Sequence, residues 1–237
     1  MEGGTKLLYL DDSYIRVFEA SVVDVRDGGV ILDRTAFHPT GGGLESDRGK
    51  LSFGGSEAKV VEARMAPPWV IHVLDGGMPE RGALVEGVLD WERRYRIMRL
   101  HTAIHVLSAV MMEKTSALIT GNNVSPEMAR VDFSLERFDR ATMEECVEES
   151  NRLMAQGREV KTYYMEWERA LKTPGMVKLA SKLPPDIPVL RVVEIEGVDI
   201  QADGGPHVRN TAEVGGVRLV KLENKGRANR RIYLSLV

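Results

Sequence analysis

Between Lys6 and about Asp90 the apolar residues come in short runs separated by turn signals, Asp27-Gly28-Gly29, Gly54-Gly55-Ser56 and Asp75-Gly76-Gly77. The runs predict strands at Ile15 to Val25, Val30 to Thr35, Lys50 to Phe53, Lys59 to Ala66, Val70 to Leu74 and Ala83 to Leu89. Many short strands at near-regular spacing, without a helical period, predict a small barrel or closed sheet. At Asp90 the period changes. Ile97, Leu100, Ile104, Leu107 and Met111 recur at helical spacing, which predicts a helix capped by Asp90 and running from Trp91 to about Glu113 with that stripe against a core.

Beyond this helix the pattern is mixed. Thr120 to Pro126 reads as loop, Ala129 to Leu135 as a strand, about Arg137 to Gln156 as an amphipathic helix and Val160 to Trp167 as a strand. Pro174-Gly175 and Pro184-Pro185 bracket a short helical piece. Val189 to Ile195, Gly216 to Leu222 and Ile232 to Leu236 complete the strands, with a basic turn from Glu223 to Arg231 between the last two. The fold class is therefore α+β, a small N-terminal β-barrel over residues 1–89 followed by an α+β domain over residues 90–237.

Composition narrows the function. A chain of 237 residues with 28% charged residues and one cysteine has the profile of an ordinary soluble protein, and no disulfide can form within it. Neither a membrane span nor a signal peptide is legible, so a cytoplasmic location is expected. Cys146 shares helical spacing with Met143, Val147 and Met154 and reads as a buried structural thiol. The net charge of −3 gives no global basic signature, so contact with nucleic acid has to rest on local patches.

The chemistry concentrates in two segments. His101 and His105 stand one helical turn apart on the same face, where two imidazoles can share a metal ion or simply pack beside the apolar stripe. His207 closes the turn Asp203-Gly204-Gly205-Pro206-His207 and supplies a third imidazole and a carboxylate. A zinc protease would carry glutamate after the first histidine; Thr102 occupies that position and removes the peptidase reading. Three histidines and a carboxylate still suit Zn²⁺, which brings the pKa of water to about 7 and polarises a carbonyl, enough to cleave an ester without a side-chain base. In the barrel, Phe37-His38-Pro39-Thr40-Gly41-Gly42-Gly43 reads as a loop whose glycines admit close approach to the backbone, or as a plain turn between strands. His38 is expected to be a loop side chain, and His72 a strand residue facing solvent or a neighbour.

HTAIH at His101 to His105, the GGxH ending at His207, NKGRANRRI at Asn224 to Ile232 and the HPTGGG loop together resemble the free-standing alanyl-tRNA editing proteins, the AlaX group, which are similar to the editing domains of alanyl- and threonyl-tRNA synthetases. The resemblance spans nearly the whole chain. It implies a β-barrel ahead of a zinc-binding editing domain. The implied activity is hydrolysis, through water activated at one zinc per chain, of tRNA(Ala) wrongly charged with serine, and with glycine as a further substrate. His101, His105, Asp203 and His207 match the family's metal ligands. Many relatives carry cysteine at the place of Asp203 and threonine at that of Pro206. Alternatives are editing of Ser-tRNA(Thr) and a tRNA-binding or metal-binding module without catalysis.

An editing enzyme must spare the smaller alanine, which no steric filter rejects; a polar group left unpaired by alanine discriminates instead. Thr40 is the candidate for sensing the serine hydroxyl, with Gly41, Gly42 and Gly43 giving backbone approach. Lys221, Lys225, Arg227, Arg230 and Arg231, then Arg93 and Arg96, are the candidates for holding the tRNA phosphates. Membrane and DNA are not expected as partners.

Overall fold

The computed structural model describes residues 3–136, 139–173, 176 and 188–237. The bracketed piece between Pro174 and Pro185, apart from Met176, and the start of the second helix at Arg137 lie outside the described residues. The chain divides into two compact units, Met1–Tyr95 and Arg96–Val237.

In the first unit, β1 (Lys6–Leu7) is followed by β2 (Val17–Arg26), β3 (Gly29–Leu32), β4 (Arg34–Thr35), β5 (Gly49–Phe53), β6 (Ser56–Ala66), β7 (Trp69–Gly76) and β8 (Leu84–Leu89). A closed barrel runs in the order β2-β3-β7-β6-β5-β8, and β1 pairs in parallel with β4 beside it. Alternation does the sorting: Phe18, Ala20 and Val22 of β2 are buried while Val17 and Glu19 are exposed. In β6 the buried residues are Ala58 and Val60 and then Ala63, because a register shift between Val60 and Glu62 inserts one residue and turns the following side chains over. Phe18, Val30, Leu32, Phe37, Leu51 and Val85 fill the interior. Phe18 lies opposite Gly87 on β8, where an added Cβ would meet its ring at 2.4 Å.

The barrel also holds His72, fully buried on β7. Its Nδ1 donates to the carbonyl of Val30 (3.2 Å), so its Nε2 is left to accept from the hydroxyl of Thr35 (2.8 Å), which itself accepts from the amide of Phe37 (3.1 Å). Of the two orientations open to His72, the side chain takes the one toward its neighbours. Burial pushes its pKa down to about 4 against the weaker opposing pull of the Val30 carbonyl. The loop after β4 is pinned a second time. Asp47 accepts from the amide of His38 (2.6 Å) and pairs with the fully buried Arg94, whose guanidinium also donates to the carbonyls of Ala36 and Ser13.

The second unit carries most of α1 (Trp91–Thr115), then β9 (Ile119–Val124), β10 (Ala129–Phe133), α2 (Arg140–Ala155), β11 (Val160–Glu166), α3 (Trp167–Lys172), β12 (Val189–Ile195), β13 (Asp199–Ala202), β14 (Val217–Asn224) and β15 (Arg230–Leu236). Two antiparallel sheets form, β14-β15-β10-β9 and β11-β12-β13. Asp90 caps α1 by accepting from the amide of Arg93 (3.1 Å). From Ile97 to Met111 the helix is buried on almost every side, the histidine face included. On α2, Asp139 accepts from Thr142, and Met143, Cys146, Val147 and Met154 face inward; burial raises the Cys146 thiol.

The structure differs from the sequence expectation at β9 and at the end of β11. The segment expected as loop from Thr120 is the edge strand β9, paired with β10 from Ile119 to Val124; only its two ends are buried, so Gly121-Asn122-Asn123 pair through their backbone and carry no apolar alternation. The expected strand Val160 to Trp167 ends at Glu166, and Trp167 opens α3. Among the described residues no helix is long and apolar enough to cross a membrane.

Candidate metal centre

His101 and His105 project from α1 at the expected spacing. Asp203 and His207 come from the turn that follows β13, and that turn is held by Arg191 of β12. Its guanidinium donates to the carbonyls of Asp203 (2.8 Å) and Gly205 (3.1 Å), while the Arg191 carbonyl accepts from the amide of Asp203 (3.1 Å). Asp203 folds the turn on itself, its Oδ1 accepting from the amide of Gly205 (2.6 Å). One ligand atom from each of His101, His105, Asp203 and His207 falls within 4.8 Å of the others. All three imidazoles are buried, and the carboxylate is 21% exposed.

The ring orientations follow from the outer nitrogens. His101 Nδ1 donates to the carbonyl of Pro206 (3.3 Å) and His105 Nδ1 to the carboxylate of Asp199 (2.9 Å). Both acceptors lack a proton to give, so Nδ1 carries the hydrogen and Nε2 turns inward. His207 Nδ1 meets the hydroxyl of Thr102 (3.0 Å), which also accepts from the amide of Val208 (3.4 Å). The inner atoms face one another: Asp203 Oδ2 lies 3.5 Å from His101 Nε2 and 3.8 Å from His105 Nε2, and Asp203 Oδ1 lies 3.3 Å from His207 Nε2. Pro206 contributes through its backbone carbonyl.

The electrostatics pull the titratable groups in different directions. Burial disfavours a charged His105, yet Asp199 and Asp203 on either side outweigh it and raise the pKa to about 9. Burial would raise the Asp203 carboxyl, but the three histidines, His101 first, hold it well below the usual carboxylate range. His207 is lowered by burial and by its neighbour His101. Three inward imidazole nitrogens and one carboxylate oxygen make an N₃O donor set of the kind that suits zinc.

The glycine-rich loop belongs to the first unit. Thr40 is exposed and its amide donates to the carbonyl of Ala63 (3.0 Å). Gly41 and Leu44 exchange both backbone hydrogen bonds across Gly42 and Gly43, whose φ angles are +59° and +82°, a two-residue turn that demands glycine or a rare left-handed residue at both positions. Gly41 has no such constraint, and an added Cβ would meet nothing nearer than 3.9 Å.

The basic residues divide by what they touch. Arg230 is buried and donates to the carbonyls of Gly226 (2.6 Å), Asn229 (3.0 Å) and Glu136, organising the turn from within. Arg231 pairs with Asp132 through two bonds of 2.6 and 2.8 Å; Lys221 and Lys225 both reach Glu223, and Arg227 is exposed at the tip. Arg93 is tied to Glu45 and the Ser46 carbonyl, and Arg96 to the Pro126 carbonyl.

Asp199, Gln201, Ser108 and Arg191 were not singled out from the sequence. The available signal was Asp199-Ile200-Gln201-Ala202, an alternation in which the polar residues are the buried ones.

Comparison with known proteins places these features in a family. Residues 190–233 match the model described as the threonyl and alanyl tRNA synthetase second additional domain, and residues 9–93 that of the class II (A) tRNA synthetases. A protein of Saccharolobus solfataricus named alanyl-tRNA editing protein AlaX-M is 46% identical over 98% of this chain and 99% of its own length. One of the same name from Methanosarcina barkeri is 44% identical over 98% and 99%. The alanine–tRNA ligase of Thermoplasma acidophilum is 36% identical over 92% of this chain, which spans 25% of that protein. With such relatives 46% and 44% identical over nearly its full length, the chain belongs to the AlaX-M family of alanyl-tRNA editing proteins.

Proposed function

We propose that this protein is a zinc-dependent hydrolase of the cytoplasm that acts in trans on mischarged tRNA(Ala), cleaving the ester of Ser-tRNA(Ala) and, as a second substrate, Gly-tRNA(Ala). The observation that carries the reading is the convergence of His101, His105, Asp203 and His207 within 4.8 Å, with Nδ1 of His101 and of His105 bound to an acceptor outside the cluster. One zinc per chain would be held by these four residues. Zinc bound there supplies Lewis acidity to an ester carbonyl and to water, whose pKa it brings to about 7.

The chain's own groups do the rest. Thr102 is engaged with His207 and Val208, Asp199 with His105, and Asp203 with Gly205, so each acidic or hydroxyl side chain beside the imidazoles already has a role in shaping the site. That favours an activated ester over an amide as substrate. Thr40 is assigned to the serine hydroxyl, which distinguishes Ser-tRNA from the smaller Ala-tRNA by a hydrogen bond instead of by size. Gly41, Gly42 and Gly43 bring the backbone close to the aminoacyl end. Lys225, Arg227 and Arg231 are assigned to phosphate contacts, and Arg230 to holding the turn that presents them.

The test is deacylation of Ser-, Gly- and Ala-tRNA(Ala) and of Ser-tRNA(Thr) by wild type and His101→Ala, with zinc content measured on the same samples. Rapid loss of the serine ester from tRNA(Ala), survival of the alanine ester and loss of both zinc and activity in the variant are expected. Preference for Ser-tRNA(Thr) would move the substrate, which the matched domain of threonyl and alanyl synthetases makes the second reading. Tight tRNA binding without turnover by wild type would leave a non-catalytic module.

A further inference from the structure

We propose that Asp199 is the positioning residue that presents His105 to the metal, a role that rests on the zinc reading above. Four buried side chains close a ring of hydrogen bonds between α1 and β13. His105 Nδ1 donates to Asp199 Oδ2 (2.9 Å), Gln201 Nε2 donates to the same oxygen (2.7 Å) and reaches Ser108 Oγ (3.4 Å), and Ser108 Oγ donates to the backbone carbonyl of His105 (2.9 Å). His105, Asp199, Gln201 and Ser108 are each at most 5% exposed.

The spacing makes the ring possible. His105 and Ser108 are one turn apart on the helix, and Asp199 and Gln201 share one face of a strand. Apolar side chains could fill this space without burying a carboxylate away from water, which is costly unless the charge is matched. The carboxylate has a use that an apolar residue lacks: it accepts only, so it fixes the hydrogen on Nδ1 and leaves the Nε2 lone pair directed at Asp203, His101 and His207. A histidine without such a partner favours the opposite tautomer in water, with the hydrogen on the nitrogen that must bind the metal. Gln201 holds the carboxylate in place, and Ser108 ties Gln201 back to the helix that carries the ligand. Partners of this kind orient metal-bound histidines, and losing one typically weakens metal binding by about 10–100-fold.

The experiment measures the zinc dissociation constant of the full chain by competition with a chelator for wild type, Asp199→Asn and Asp199→Leu, with the Nδ1 proton of His105 followed by NMR in the zinc-loaded protein. Asparagine keeps an acceptor of the same shape, so D199N is expected to weaken zinc binding by about tenfold and to move the Nδ1 proton upfield. D199L, with no acceptor, is expected to weaken it by about 100-fold. Wild-type affinity and an unmoved Nδ1 proton in D199N overturn the proposal, whether or not D199L folds. A wild type that binds no zinc would instead sink the metal reading itself and this role with it.

Discussion

Acidification should destabilise the barrel through His72 before most carboxylates are protonated. The buried ring is neutral in the folded protein, with a pKa of about 4 against 6.5 for an ordinary histidine, because protonation would put a charge in an apolar interior and turn a second N–H toward the Thr35 hydroxyl. The unfolded chain takes up the proton at about pH 6.5, the folded one only near pH 4. Between those values the unfolded state binds more protons, so the stability due to a neutral His72 is fully present above pH 6.5 and is lost as the pH falls toward 4. Two and a half pH units at about 1.36 kcal/mol each give roughly 3 kcal/mol. That is a large share of a typical domain's stability of about 5–15 kcal/mol. Urea unfolding from pH 7 to pH 4 for wild type and His72→Gln, which cannot titrate, isolates the effect from the other groups. Wild type should lose about 3 kcal/mol more than the variant over this range, and the Thr40 loop, which Thr35 anchors through Phe37, should lose hydrogen-exchange protection first. Parallel pH profiles would refute the reasoning.

Thr40→Val should cut Ser-tRNA cleavage while zinc content stays at the wild-type level; equal activity in the two proteins would defeat the assignment. Gly41→Ala has room for its methyl and no positive φ, so it should fold normally and still deacylate slowly if the backbone there touches the aminoacyl group; full activity would remove Gly41 from the site. Arg227→Ala should weaken tRNA binding and flatten its salt dependence without altering thermal stability. Arg231→Ala should also cost about 1–3 kcal/mol of stability because Asp132 loses its partner, and an unchanged melting temperature would refute that.

The barrel was legible because its strands alternate and its turns are marked by glycine pairs, two properties that read directly as period and punctuation. β9 was not, since an edge strand needs only backbone partners, and Gly121-Asn122-Asn123 satisfy that without an apolar face. The long helix was legible in extent, but its amphipathic stripe understated its burial: Thr102, His105 and Ser108 are polar residues sunk in the interior, where only their partners make them tolerable. The histidine pair and the remote turn could be named as one cluster because the residue types are rare and the spacing fits a helix. Asp199 could not, since one aspartate in a strand says nothing of the helix it will face. Arg230 shows the reverse limit: in the sequence it is one cation of a basic turn, and in the fold its guanidinium is spent on the backbone carbonyls that shape that turn.

The carboxylate of Asp203 has two partners within its own turn and cluster. A thiolate offers one soft donor, whereas this carboxylate divides its work, with Oδ1 closing the turn onto the Gly205 amide and Oδ2 turned toward His101 and His105. The turn is further fixed by Arg191, so were Asp203 to hold the proposed zinc, the shorter reach of an oxygen ligand, about 2.0–2.2 Å against about 2.3 Å for sulfur, would fall on a segment whose position is set from outside the cluster. With Asp199 behind His105, two carboxylates then flank one imidazole, and together they raise its pKa to about 9 against the cost of burial. A divalent ion held by the proposed site would answer the same electrostatic demand with more charge. The two aspartates thus divide two tasks, Asp203 turned into the histidine cluster and Asp199 holding the far side of His105.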